Sequence, residues 1–297
     1  MRVLVLSDIH ANLAALEAVI EDAAAIGYDR VWCLGDTVGY GPEPDACVAR
    51  LRGLDAKVVV GNHDWAAIGR MDVDEFNPEA GRAGLWTQAH LSPLSLAWLK
   101  SLPDEPQVVD DFTLTHGSPR DPVWEYILRP ADAAENFQWF DTSFCLVGHT
   151  HVPVSYIWHA ADGKIQRQVP TFGKAIPLHA GTRAILNPGS VGQPRDNDPR
   201  SAYAILDTER MTWLARRVAY ELPDLKIHGQ TGLAYTDALV ATKRGLIALT
   251  LNTLPSPITN DNLHWHRPSD TLAHVDPDAL ADTHAVVWQL LQLLDSV

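Results

Sequence analysis

Short apolar runs alternate with amphipathic segments over the first sixty residues. Val3 to Leu6 is an apolar run without polar alternation, which predicts a strand buried on both faces. Asn12, a residue of the N-cap type, then precedes apolar side chains at helical spacing. The same order repeats, with strands predicted at 30–34 and 57–60 and a helix at 44–54. Three β-loop-α units in a row predict parallel strands joined by right-handed crossovers.

The pattern changes along the rest of the chain. Residues 65–103 favour helices, and two further apolar strands are predicted at 112–115 and 144–147. Beyond residue 153 the apolar segments are short and strand-like, and Asp162-Gly163 is a hairpin signal between two of them. This part of the chain therefore predicts a mostly antiparallel sheet.

The composition shifts near Glu221. A loop rich in Pro, Asn and Thr follows at 253–268, and Asp276-Pro277 has the N-cap and first-position proline of a final amphipathic helix. We expect one domain over residues 1–220. A mostly helical C-terminal extension over 221–297 would pack on that domain or on a partner subunit.

Charge and composition exclude several classes of protein. A net charge of −14 disfavours general nucleic-acid binding, which needs a surplus of Lys and Arg. The three cysteines show no metal or disulfide spacing. No apolar stretch reaches the ~18 residues of a membrane span, and Asp8 and His10 interrupt the N-terminal apolar run too early for a signal peptide. We expect a cytoplasmic protein that does not associate with membranes.

Polar blocks follow the predicted strands, at the edge where open α/β sheets bind their ligands. Asp8 and His10 lie on the same side of an extended chain, so that both can reach one ion. Carboxylates, an amide and imidazoles suit two divalent ions such as Mn²⁺, Fe, Zn²⁺ or Co²⁺, with one carboxylate bridging them. The blocks are, in order, Asp8-x-His10, Gly35-Asp36, Gly61-Asn62-His63-Asp64, His116-Gly117 and Gly148-His149-x-His151.

Together the five blocks resemble the calcineurin-like metallophosphoesterase superfamily, whose pattern is D-x-H, G-D, G-N-H-[DE], a lone His and G-H-x-H. The resemblance covers roughly the first three-quarters of the chain. It implies an α/β fold, a four-layer αββα sandwich of two mixed β-sheets flanked by helices. The implied cofactor is two divalent metal ions, Mn²⁺ and/or Fe, with Zn²⁺, Co²⁺ or Ni²⁺ as alternatives.

The resemblance also assigns roles by position in the pattern. His63 would be the catalytic histidine, which donates a proton to the leaving oxygen or stabilises charge on it. The metal ligands would be Asp8, His10 and His151 for the first ion, Asn62, His116 and His149 for the second, and Asp36 as the bridge between them.

One departure from the family's pattern is informative. Protein serine/threonine phosphatases continue the Gly-Asp block with x-V-D-R-G, but Gly39 and Tyr40 stand at the Asp and Arg positions here. The carboxylate that would orient His63 is therefore missing, and Asp64 is one candidate to replace it. A phosphate-binding arginine is missing at the same place. The runs at 39–42, 116–120 and 187–195 resemble the small prokaryotic phosphodiesterase branch instead.

Two regions offer substrate contacts besides Asn62 and His63. In the glycine-rich loop 187–195, backbone amides or Arg195 would border the phosphate, or the loop is a turn in which Arg195 pairs with Asp196. Arg120 is a second candidate. Trp124 and Tyr126 would offer stacking faces to a nucleobase, or at least one of them packs in the core.

The function expected from the resemblance is metal-dependent hydrolysis of a phosphoric ester. The substrate would be a small phosphodiester or nucleotide-type ester, attacked in line by a metal-bridging hydroxide while His63 assists the leaving group. Two alternatives are a phosphomonoesterase of small metabolites and a non-catalytic scaffold with the same fold. The sequence leaves a homo-oligomer open.

Overall fold

A computed structural model describes residues 1–159 and 163–220 of the 297-residue chain. The predicted C-terminal extension over 221–297 lies outside the described residues, as does Asp162 of the hairpin signal. The domain boundary at residue 220 therefore stays a prediction.

Six helices and twelve strands are present in the described part of the chain. The helices are α1 Leu13–Ile26, α2 Pro44–Gly53, α3 Asn62–Ala67, α4 Pro78–His90, α5 Pro93–Lys100 and α6 Pro130–Asn136, and a short 3-10 turn spans Val73–Glu75. The strands are β1 Arg2–Leu6, β2 Arg30–Cys33, β3 Lys57–Val58, β4 Gln107–Val109, β5 Phe112–Leu114, β6 Phe144–Leu146, β7 Val154–His159, β8 Lys164–Gln168, β9 Ala175–Pro177, β10 Arg183–Asn187, β11 Ser201–Asp207 and β12 Thr212–Val218.

The strands form two mixed sheets, in the orders β3-β2-β1-β11-β12-β9 and β4-β5-β6-β10-β7-β8. In the first sheet β1, β2 and β3 pair in parallel, as the three β-loop-α units predicted. β1 also pairs antiparallel with β11, where Val3 lies opposite Leu206. In the second sheet β5, β6 and β10 are parallel and β7 and β8 form an antiparallel hairpin.

The later strands pair mostly antiparallel, as predicted, but they divide between the two sheets, so the prediction that they form one sheet was wrong. β9, β11 and β12 extend the first sheet, whereas β7, β8 and β10 complete the second. β10 pairs in parallel with β6 on one side and antiparallel with β7 on the other. Hydrophobic patterning shows which side chains are buried, but it does not specify the sheet edge that a strand joins.

The strand β1 is buried on both faces, as its uninterrupted apolar run predicted. Leu4 and Leu6 pack with apolar side chains of α1 and α2, and Val3 and Val5 pack between the two sheets. On its other face the second sheet packs against Ala133 of α6 and against Phe137, which directly follows that helix. The layers are therefore helix, sheet, sheet and helix, which confirms the αββα sandwich.

Two helix starts follow directly from the sequence. The Asn12 side chain accepts a hydrogen bond from the N–H of Ala15 at 3.1 Å, so that α1 begins immediately after the first polar block. The Ser92 hydroxyl accepts one from the N–H of Ser95 at 3.2 Å at the start of α5. Such caps satisfy backbone donors that helix ends leave unpaired.

Two other expectations can be compared with the described residues. The three cysteines are buried and unpaired. Over residues 1–159 and 163–220, every helix is too short or too polar to cross a bilayer.

The inter-sheet core generates a stability prediction. Leu206 is fully buried between the sheets, so Leu206→Ala leaves a cavity and should lower the free energy of unfolding by about 2–5 kcal/mol. Leu85→Ala is the matched control, because Leu85 is 50% exposed on α4 and its truncation should change stability by no more than about 0.5 kcal/mol. Urea denaturation followed by circular dichroism measures both, and equal losses would contradict the burial of Leu206.

Candidate metal centre

The five polar blocks meet at one edge of the sandwich. Asp8 and His10 follow β1, Asp36 follows β2, and Asn62 begins α3 after β3. The remaining blocks come from the second sheet, where they follow β5 and β6. The site therefore lies where the two sheets adjoin, and each sheet supplies part of it.

The candidate ligands form two groups that share one carboxylate. Within each group the donor atoms all lie within 4.8 Å of one another. Asn62, whose side-chain Oδ1 lies 3.2 Å from His116 Nε2, adjoins the second group. The first group is Asp8, His10, Asp36 and His151, and the second is Asp36, His116 and His149.

Backbone carbonyls set the tautomer of the four histidines. A carbonyl oxygen only accepts hydrogen bonds, so the ring nitrogen beside it carries the hydrogen and the other nitrogen of a neutral ring presents a lone pair. In each ring that other nitrogen is the one facing the candidate ligands. The pairs are His10 Nδ1 with Val38 O at 3.3 Å, His116 Nδ1 with Leu34 O at 2.7 Å, His149 Nε2 with Trp124 O at 3.0 Å, and His151 Nδ1 with Gln193 O.

The facing nitrogens lie too close together to be left without a positive charge. His10 Nε2 and His151 Nε2 are 3.1 Å apart, and His116 Nε2 and His149 Nδ1 are also 3.1 Å apart. Asp8 Oδ1 and Asp36 Oδ2 are buried nearby without a hydrogen-bond partner among the described residues. Unprotonated nitrogens and carboxylate oxygens repel one another unless a cation lies between them, so this donor set fits divalent metal ions.

The electrostatics of the site point the same way. Burial lowers the pKa of His10, His149 and His151 well below the usual range, which keeps them in the neutral form that binds metal. Burial also lowers the pKa of His116, but the Asp36 carboxylate outweighs it and raises that pKa to about 9. A proton on His116 therefore supplies positive charge that a bound cation would otherwise supply.

The two carboxyl groups differ in their surroundings. Burial, with a smaller contribution from the charge of Asp36, raises the pKa of Asp8 to about 7. For Asp36 burial acts upward as well, but the charges of His116 and His63 outweigh it and hold its pKa well below the usual range. Asp36 is therefore the anionic centre of the cluster, in keeping with its position in both ligand groups.

Left-handed backbone is concentrated in this cluster. Positive φ is uncommon outside glycine and costs free energy, which structures accept mainly at functional sites. Five of the seven predicted ligands adopt it, and the packing of the surrounding loops holds them there. They are Asp8 at 53°, His10 at 50°, Asp36 at 52°, His149 at 63° and His151 at 59°.

The loop 187–195 forms backbone hydrogen bonds with Ser7 and Asp8 at the end of β1. The N–H of Val191 donates to Ser7 O at 3.0 Å, and the N–H of Gly192 donates to Asp8 O at 2.9 Å. A Cβ on Gly192 would lie 1.9 Å from Ile9 O, so only glycine allows this approach. The loop thus fixes the backbone on either side of Asp8.

A cavity of about 150 Å³ opens beside the candidate metal centre. Its walls include Trp124 and Tyr126, and the Tyr126 ring stacks on His149 with 3.7 Å between the ring centroids. Its other lining residues include His63 and Arg195. Both aromatic residues singled out in the sequence therefore lie at the site.

The two candidate arginines have different surroundings. Arg195 lines the cavity, and it does not pair with Asp196, which instead contacts Arg217. Arg120 lies outside the cavity lining, where Glu125 and Glu135 hold its guanidinium. The structure therefore brings Arg195 to the site and leaves Arg120 away from it.

Sequence reasoning missed two parts of the site. Phe76 lines the cavity from the segment between the 3-10 turn and α4, a stretch that predicted only helix. Ser7 donates a hydrogen bond to Asp8 Oδ2 at 2.6 Å and holds that carboxylate in place. Its position beside Asp8 in the first polar block was the available signal.

The comparisons agree with this geometry. A family model described as the calcineurin-like phosphoesterase superfamily domain matches residues 1–211. An uncharacterised protein of Methanocaldococcus jannaschii is 37% identical over 222 residues, which are 73% of this chain and 87% of that protein. The crystal structure of a metallophosphoesterase from Sphaerobacter thermophilus is 44% identical, with a TM-score of 0.68 over 83% of this chain and 94% of that one. A hypothetical protein from Pyrococcus horikoshii OT3 shares the fold, with 20% identity and a TM-score of 0.58 over 74% of this chain and 88% of that one.

The site generates a prediction about cation binding. Mn²⁺ or Zn²⁺ should raise the melting temperature of metal-free protein, because a ligand at 100 times its Kd stabilises the folded state by about 2.7 kcal/mol. Asp36→Asn should lose most of that rise, although Asn retains the oxygen that accepts the His63 N–H at 2.9 Å. Differential scanning fluorimetry with and without metal measures the rise.

His159→Ala is the matched control for that experiment. His159 is an exposed histidine on β7 that contacts Gln166, outside both ligand groups, and its variant should show the full metal-induced rise. An Asp36→Asn protein that the metal stabilises as strongly as the wild type would contradict the shared role of this carboxylate.

Proposed function

The chain belongs to the calcineurin-like phosphoesterase superfamily, and from that premise we propose that it hydrolyses a phosphodiester or nucleotide-type phosphate ester with two divalent metal ions. Membership of the family makes it a metal-dependent phosphoric ester hydrolase. The observation that carries the proposal is that two groups of buried donor atoms share Asp36, and in each group two histidine nitrogens lie 3.1 Å apart.

The proposed ligands follow the two groups of donor atoms. When bound, the ions supply Lewis-acid chemistry, because they lower the pKa of water for in-line attack on phosphorus and neutralise charge on the phosphate oxygens. The first ion would be held by Asp8, His10 and His151, the second by Asn62, His116 and His149, with Asp36 shared.

His63 is the proposed proton donor to the leaving oxygen. It lines the same cavity as Asp36 and His149, and its ring centroid is 4.9 Å from that of His10. A general acid must lie within hydrogen-bond reach of the oxygen that leaves. The position of His63 beside the metal centre, rather than within either ligand group, supports this role.

Arg195 is the proposed contact for a phosphate oxygen. Its Nη2 donates to Gln193 Oε1 at 2.7 Å and lies 3.4 Å from the Tyr40 hydroxyl, and both partners are neutral. Among the described residues no carboxylate pairs with Arg195, and none supplies a hydrogen-bond partner for its buried Nε. A guanidinium that borders a cavity without a carboxylate partner is suited to an anionic substrate.

The aromatic wall supports a nucleotide-type substrate. Phe76 and Trp124 meet edge to face with centroids 5.3 Å apart, and Tyr126 is 40% exposed beside them. Aromatic faces at a phosphate site give a planar base a surface on which to stack. The departure at Gly39-Tyr40 from the protein phosphatase pattern argues further for a small substrate.

The proposed reaction is tested with substrates that separate the two ester classes. In the presence of Mn²⁺ the enzyme should hydrolyse bis(4-nitrophenyl) phosphate faster than 4-nitrophenyl phosphate, and Asp36→Asn and His116→Ala should lose turnover of both. A panel of cyclic nucleotides, dinucleoside polyphosphates and sugar phosphates then identifies the natural class. Preference for monoesters would instead assign a phosphomonoesterase, and full activity of Asp36→Asn after chelation would exclude the metal-dependent reaction.

The phosphate contact generates a separate prediction. Arg195→Ala should raise KM about tenfold or more, because a hydrogen bond to a charged group contributes roughly 1.5–3 kcal/mol. Arg120→Ala is the comparison, and it should change KM less because Glu125 and Glu135 already hold that guanidinium outside the cavity. Steady-state kinetics on the ester that the wild type hydrolyses faster give KM for both variants. A larger rise in KM for Arg120→Ala would refute the assignment of Arg195.

A further inference from the structure

The backbone of His63 is fixed, but within residues 1–159 and 163–220 no hydrogen bond orients its ring. Its main-chain N–H donates to Asp36 Oδ1 at 2.9 Å at the start of α3. Its side chain is 5% exposed, and Nδ1 is buried without a hydrogen-bond partner among the described residues. A general acid needs a fixed orientation, so other contacts must set the position of this imidazole.

The carboxylate nearest in sequence does not supply that contact. Asp64 Oδ1 accepts the N–H of Val38 at 3.1 Å, and Asp64 Oδ2 accepts the N–H of Gly61 at 3.0 Å. Asp64 therefore braces the loop that contains Gly39 and Tyr40, and acts on the surroundings of His63 rather than on its ring.

Three residues enclose the imidazole by packing. The Tyr40 ring lies 4.5 Å from the His63 ring at 41°, and the Phe76 ring lies 4.9 Å from it at 66°. On the Nδ1 side the backbone of Gly39, with φ at +90°, comes so close that a Cβ there would lie 2.7 Å from Nδ1. Nε2 is thus the nitrogen left to face a ligand in the cavity.

We propose that Tyr40 and Phe76, together with the Gly39 backbone, position the catalytic imidazole of His63 by packing in place of a carboxylate. These three residues form the His63 clamp. The inference rests on the proposed function, because it concerns the orientation of the proposed proton donor. Tyr40 and Phe76 are positioning residues that act through His63. Ring pairs of this kind contribute about as much as one neutral hydrogen bond.

Tyr40 links the clamp to the phosphate contact. Its ring packs on His63, while its hydroxyl lies 3.4 Å from Nη2 of Arg195. The proton donor and the proposed phosphate contact therefore share Tyr40 as a neighbour. Tyr40→Phe separates the two effects, because it retains the ring and removes the hydroxyl.

The test compares two diesters that differ only in their leaving group, 4-nitrophenol or phenol. Phenol is the weaker acid, so its departure depends more on a proton donor. Phe76→Ala should lower kcat about tenfold for the phenyl ester and much less for the 4-nitrophenyl ester, because general acid catalysis contributes about 10²–10⁴-fold in total. His63→Ala should show the same selectivity, with a larger loss.

Four further variants show whether the effect passes through His63. Phe76→Tyr should restore the phenyl-ester rate, and Tyr40→Phe should retain the wild-type leaving-group dependence with a higher KM. Trp124→Ala removes an aromatic neighbour of Phe76 and should affect both esters equally. In the His63→Ala background, Phe76→Ala should cause no additional selective loss. Equal losses for both esters in Phe76→Ala, or an added selective loss in that background, would overturn the clamp.

A spectroscopic measurement on the metal-free protein tests the clamp without turnover. In a ¹H–¹⁵N correlation spectrum of the imidazoles, the His63 signals are identified by their loss in His63→Ala. They should be sharp in the wild type and broadened in Phe76→Ala, and unchanged signals would overturn the clamp. A wild-type protein that cleaves neither ester would overturn the proposed function instead, and the spectra would then decide the clamp alone.

Discussion

The candidate metal centre depends on electrostatic repulsion between buried histidine nitrogens and carboxylates that the fold holds close together. Four backbone carbonyls each bind the N–H of one histidine, so that the opposite nitrogens face one another and two carboxylates across a buried space. In water such groups would separate or become protonated. Here the tautomers are set by carbonyls outside the cluster, and burial disfavours protonation of three of the four rings. The cluster is therefore stabilised when positive charge, from a bound cation or a proton, lies between these groups.

Both sheets are needed to build this cluster. The first sheet supplies Asp8, His10 and Asp36, and the second supplies the residues that follow β5 and β6. The apolar layer between the sheets therefore sets the distance between the two halves of the site. A carbonyl of the first sheet, Leu34 O, also binds His116 of the second at 2.7 Å. The interface between the two sheets therefore contains the apolar core and, at one edge, the candidate metal ligands.

Much of this site could be predicted because each ligand follows an apolar strand. The αββα layers and the roles of the seven ligand candidates were implied by the family resemblance, which rests on five short polar blocks that can be recognised in the sequence alone. The partners of the two arginines could not be predicted, since Glu135, which holds Arg120, lies fifteen residues away on a helix face. The contact of Phe76 with His63 was equally hidden, because it depends on how a loop between two helices folds over the cavity. The sheet that β11 joins could not be predicted for the same reason, because strand pairing depends on residues distant in the sequence.

The left-handed backbone of five ligand candidates has a consequence for how well the folded protein resists proteolysis. Each such residue costs roughly 1–3 kcal/mol, and the unfolded chain is free of that cost. Metal that binds only the folded chain offsets it. Without a bound cation, the protein should therefore populate more of the locally opened forms that proteases cleave.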